Sequence, residues 1–186
     1  MTNNLILQIA TLLVVVVASV VDLRTTKIPN WLTFGSAPIG IILNFALLGW
    51  KAGLLAMAGW CAGVIVMIGF KKIGKMNQMG MGDVKLIAAI GAFLRLEVLL
   101  VWGYFALLFG AFATFKFLTA IPWSHFAKMV KAASVGLPST LDQEAAVKLT
   151  AVMTKPVPLA PIIALGTLVA ILLEKPTLAF LGFPIS

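Results

Sequence analysis

Long apolar runs separated by short polar breaks leave this chain few folds to adopt. Residues 5–21, 31–48, 52–70 and 158–173 hold no charged side chain, and residues 98–118 hold one, Lys116. At about 1.5 Å of rise per residue, helices over such runs approach the roughly 30 Å of a hydrocarbon core. Only 11% of the residues are charged, against about a quarter in soluble domains, so a soluble globule is excluded. Backbone groups in lipid must pair within their own segment or barrel, and runs this long pair as helices. The reading is an all-α, polytopic integral membrane protein of about six transmembrane helices, the fourth being a shorter helix over residues 83–94. The first run is read as a retained helix and not a signal peptide. Its leader, Met1-Thr2-Asn3-Asn4, has no basic residue, and the run ends in Asp22-Leu23-Arg24 where a cleavage site would have small residues.

The breaks carry punctuation. Pro29 disfavours a helical Ile28 and leaves Asn30 to cap the second helix, with Trp31 at one membrane interface and Trp50 at the other. Gly59 and Gly63 in the third helix, and Ala88 and Ala92 in the fourth, have the four-residue spacing that lets helices approach closely; the fourth is expected to be buried in the bundle. Arg95 and Glu97 mark a turn, and Glu174-Lys175-Pro176 is expected to end the sixth helix. Residues 119–156 are less apolar: Trp123, Phe126, Met129, Val130 and Ala133 follow helical spacing opposite Lys128 and Lys131, as in a helix lying on a membrane surface. His125 is read as an interfacial residue of that segment. No repeat or linker divides the chain, so residues 1–186 are expected to form one transmembrane domain with an interfacial loop at about 119–156. The single cysteine, Cys61, builds neither a disulfide nor a Cys-x-x-Cys site. No metal or cofactor is expected. The net charge of +8 lies in the breaks and forms no groove or stripe, which argues against nucleic acid as a partner.

With six helices, Arg24, Lys27, Lys71, Lys72, Lys75, Lys85, Lys116, Lys128, Lys131, Lys148 and Lys155 fall on one side of the membrane. Lys51, Arg95 and Lys175 fall on the other. The excess of Lys and Arg makes the first side cytoplasmic. Asp22, ending the first helix, and Asp83, opening the fourth, then meet at that face. Two carboxylates sharing a site do not both ionise easily, so one holds a proton while the other serves as base toward a water. Gly80 and Gly82 would let the backbone approach a substrate closely or take a positive φ. Helix dipoles point to Asp83 as the ionised base and Asp22 as the protonated partner. A pairing of Asp22 with Arg24 in a loop, or a proton- or cation-coupled transporter using both acids, are the competing readings.

Asp22, Arg24, Ile28, Pro29 and Asn30 in the first break, with Gly80-Met81-Gly82-Asp83 and Lys85 in the second, resemble the prepilin peptidases, integral-membrane aspartic proteases of the Gly-x-Gly-Asp type. Gly-x-Gly-Asp alone is a common tetrapeptide; joined to Asp-x-Arg-x-x-x-Ile-Pro-Asn at the same membrane face it is specific. The stretch from Val157 to Gly166 looks like that family's proline-containing start of the last helix. The resemblance implies that Asp22 and Asp83 are the catalytic pair, supported by Gly80, Gly82, Arg24, Pro29, Asn30 and Lys85. It implies as substrate a pilin or pseudopilin precursor, cut at the cytoplasmic face of the bacterial inner membrane. Larger members carry an amino-terminal domain with paired cysteines that methylates the product. With one cysteine and a helix from residue 5, this chain is similar to the short, peptidase-only enzymes of tight-adherence (Flp-type) pili. Lys85 is expected to mark the interface and not to touch substrate.

Overall fold

A computed structural model of the chain describes residues 2–73, 80–120 and 159–180, and every regular element among them is helical. In order these are α1 (Thr2–Thr25), α2 (Asn30–Leu48), α3 (Trp50–Ile73), α4 (Met81–Leu94), a 3-10 turn (Arg95–Glu97), α5 (Val98–Ala120) and α6 (Ala160–Phe180). Two compact units divide the chain, Met1–Leu108 with Val157–Ser186, and Phe109–Pro156. The second is described over residues 109–120, the end of α5, where Lys116 Nζ lies 5.7 Å from the centre of the Phe112 ring. The interfacial helix expected within 119–156 and the lysine loop around Lys75 lie outside the described residues.

Among the described residues, four helical segments are long and apolar enough to cross a membrane: Asn3–Thr25, Asn30–Leu48, Trp50–Gly69 and Ala160–Leu178. Three hydroxyl side chains buried or half-buried on these helices bond one turn back along their own helix. Thr11 and Ser19 each donate to the carbonyl four residues earlier, Leu7 and Val15, at 2.7 Å, and Thr167 does the same to Ile163 at 2.8 Å.

The first unit is built around α4. Its 14 residues reach about 21 Å, too little to span the bilayer core. Yet from Leu86 to Leu94 every residue is buried. The expectation of a short helix enclosed by the bundle is met, and small residues on both sides allow it. A Cβ on Gly40 of α2 would lie 2.9 Å from the Ala92 carbonyl oxygen, and one on Gly63 of α3 would lie 2.8 Å from Ala88 Cα. The tightest crossing is Gly59 against Gly91, where a Cβ on Gly91 would come within 2.3 Å of the Gly59 carbonyl oxygen. Asn44, fully buried on α2, closes the far end of α4: its Nδ2 donates to the carbonyl oxygens of Ala92 at 3.1 Å and Phe93 at 3.0 Å, as well as to Gly40 at 2.9 Å. The Ala92 and Phe93 carbonyls belong to the last turn of α4, where a carbonyl has no partner within the helix.

The connections follow local chemistry. Gly49 alone joins α2 to α3, at φ 85° with its N–H on the Phe45 carbonyl, a conformation open to glycine at little cost. One expectation fails at α6, which runs through Pro176 to Phe180 and does not stop at Glu174. Proline removes one backbone bond there, but side chains hold the flanking turns. Gln8 Nε2 of α1 donates to Glu174 Oε2 at 3.3 Å, and the Tyr104 and Thr177 hydroxyls share a hydrogen bond.

Candidate active site

At the end of the bundle where α1 finishes and α2, α4 and α6 begin, the two sequence motifs interlock. Asp22 lies in the last turn of α1, which reaches Thr25, and Asp83 lies in the first turn of α4. Their residues are only 5% and 7% exposed, so both acids are enclosed by protein, where a carboxylate demands partners. Asp22 Oδ2 accepts the main-chain N–H of Ala160, the first residue of α6, at 3.1 Å. The Asp22 carbonyl takes the N–H of Thr26 at 2.7 Å, and Thr26, at φ 53°, turns the chain out of α1. A loop pairing of Asp22 with Arg24 is not what forms: Asp22 points into the bundle while Arg24 is exposed.

The glycines flanking Asp83 serve close packing. Gly80 precedes α4 at φ −65°, ψ 146°, and its carbonyl accepts the Asp83 N–H at 3.2 Å. A Cβ on Gly80 would sit 3.3 Å from Asp83 Oδ2, and one on Gly82 would sit 3.1 Å from Ile28 Cβ. Gly80 therefore leaves room for the carboxylate, and Gly82 lets the α1–α2 connection press on α4. Of the two roles expected for Gly80, a positive φ is absent and close approach is present, toward the protein itself.

Asn30 corrects a further expectation, and Lys85 is its partner. Pro29, in extended conformation, takes the N-cap position of α2 without a side-chain cap bond. Asn30 is already helical, and its Oδ1 accepts Lys85 Nζ at 2.9 Å. Lys85 also lies 4.9 Å from the centre of the Phe34 ring, within cation–π range. It ties the start of α2 to the start of α4.

The dipole argument that chose Asp83 as the ionised member loses its basis. Both carboxylates lie within helices, and Asp22, though at the C-terminal end of α1, reaches to the N-terminus of α6, so each faces a helix N-terminus. Sequence reasoning missed Ala160 and Asn44. A main-chain donor leaves no mark in residue identity, though Pro161, directly after Ala160, does signal a helix start. Among the described residues no three His, Cys, Asp or Glu side chains converge as a metal site.

Helices long and apolar enough to span a membrane, packed around a short enclosed helix with two buried acids at one end, define a multi-pass membrane protein. The family model of the type IV leader peptidases matches residues 9–115, a range that contains both acids, and the chain belongs to that family of proteases. Neither a curated protein nor a solved structure matches the chain.

Proposed function

We propose that this chain is an aspartic endopeptidase that removes the short leader from type IV pilin-like precursors of the Flp type, with Asp22 and Asp83 as its catalytic pair. The observation that carries the reading is the burial of these two acids at one end of the bundle, inside motifs that grip one another through Gly82 on Ile28 and Lys85 on Asn30. Lys and Arg placement supports the cytoplasmic face of the inner membrane as the site of cutting. One carboxylate takes a proton from water as the resulting hydroxide attacks the scissile carbonyl carbon. The protonated partner gives its proton to the carbonyl oxygen. Collapse of the tetrahedral intermediate breaks the C–N bond as one of its hydroxyls returns a proton to the partner carboxylate, and the proton first taken from water passes to the leaving amine. Gly80, Gly82, Pro29 and Asn30 shape the ends of the two helices, and Arg24 and Lys27 are exposed beside them.

Co-expression with candidate pilin precursors tests this, read by mobility shift and by the N-terminal sequence of the product. The expected outcome is cutting by wild type and intact precursor with Asp22→Asn or Asp83→Asn, each variant still inserted in the membrane. Processing that persists in either variant refutes the pair. A wild type that cuts no precursor while moving protons or cations across vesicles transfers the acids to transport.

A further inference from the structure

We propose that the main-chain N–H of Ala160, at the start of α6, is a positioning donor that fixes the Asp22 carboxylate for catalysis, which makes the first turn of α6 part of the active site. The proposal rests on the peptidase reading and extends it beyond residue 115, where the family match ends. Ala160 and Asp22 are 138 positions apart, both are buried, and the Ala160 N–H meets Asp22 Oδ2 at 3.1 Å.

This donor is available because of where it sits. The first N–H groups of a helix have no partner within it. Leu159 supplies its carbonyl to the Ile163 N–H at 3.0 Å, which places Leu159 at the N-cap and Ala160 at the first helical position. Pro161, next in line, has no N–H to offer. The Ala160 amide is thus directed at an acceptor outside α6, and Asp22 provides it. A carboxylate held through one oxygen has its plane and its second oxygen restricted, as a general base or acid requires. Asp22 is held by backbone, so no side-chain substitution at 160 removes the contact except one: proline.

Ala160→Pro deletes the N–H and sets a ring carbon where its hydrogen pointed, so Asp22 loses the donor and must shift from its place; the backbone itself accepts the change, because proline is well tolerated at the first helical position and an N-cap residue such as Leu159 is commonly extended, as a pre-proline residue prefers. Ala160→Gly keeps the N–H and serves as the conservative control. In purified enzyme acting on a pilin precursor, Ala160→Gly should match wild type within about twofold. Ala160→Pro should lose roughly ten- to hundredfold in kcat at unchanged KM, the range for removing a hydrogen bond to a charged group, with rates expressed per folded protein. A wild-type kcat in Ala160→Pro overturns the proposal. So does a loss that follows the folded fraction alone, since the contact is then only a helix cap. If Ala160→Pro does not fold well enough for kinetics, thermal unfolding of Ala160→Pro and Asp22→Ala, singly and together, decides: additive effects overturn the proposal, and non-additive effects uphold the contact on which it stands. A wild type that cuts no precursor overturns the peptidase reading and the positioning role with it. An active wild type with an equally active Ala160→Pro overturns only the positioning role.

Discussion

Replacing Gly91 by alanine should part α3 from α4 and carry Asp83 out of place. The added Cβ would stand 2.3 Å from the Gly59 carbonyl oxygen and 3.1 Å from the Trp60 nitrogen. These are main-chain atoms that cannot rotate aside. Restoring ordinary contact requires the helices to separate by about 1 Å. Overpacking of this kind costs about 1–3 kcal/mol, and alanine returns about 0.5–1 kcal/mol of helix propensity, so a net loss of about 1–2 kcal/mol is expected. Asp83 lies two turns up the same rigid helix, and if it serves catalysis as proposed, a displacement near 1 Å is worth roughly a hundredfold in rate. Gly69→Ala is the internal control, since a Cβ there meets nothing within 4 Å. It should gain about 0.5–1 kcal/mol and keep full activity. Thermal unfolding in detergent gives the first quantity and precursor processing per folded enzyme the second. Should Gly91→Ala prove as stable and as active as Gly69→Ala, the close crossing does not set the position of α4. Lost stability with full activity would show that α4 yields at Gly91 without moving Asp83.

Asn44→Ala should lower stability by about 2–3 kcal/mol, because the Ala92 and Phe93 carbonyls lose a buried donor; urea or thermal unfolding in detergent measures it, and a loss under 1 kcal/mol contradicts the capping role. A double-mutant cycle of Lys85→Met with Asn30→Ala should give a coupling of only about 0.5–1 kcal/mol, since the bond is exposed and solvent weakens it; a coupling near zero would remove the tether. Thr26→Gly should raise stability by about 1 kcal/mol, because a β-branched residue at φ 53° carries strain that glycine does not; a lowered melting temperature would show that the Thr26 side chain contributes more than its strain costs.

What the sequence made legible here follows from what lipid demands. A segment in hydrocarbon must be apolar and internally bonded, so apolar runs gave the courses of α1, α2, α3 and α5 to within a few residues at each end, and small residues at fixed spacing gave the enclosure of α4. The motif acids were legible for the same reason: Asp22 and Asp83 stand at the edges of runs that exclude charge. The errors share a cause too. Helix ends are decided by individual hydrogen bonds, and partners far along the chain supply them. Pro176 did not stop α6, because Gln8 and Tyr104 hold its neighbours from other helices. Asn30 did not cap α2, because Lys85, 55 residues later, competes for its oxygen. Ala160 reads as one more small apolar residue, since what it contributes is an amide that every residue but proline possesses. Local rules place a side chain that must avoid lipid, whereas a main-chain donor acquires its role only when the fold brings an acceptor to it. Asp22 is where the two meet: its place in the sequence set it apart as an acid at the edge of an apolar run, and only packing against α6 shows which atom holds it.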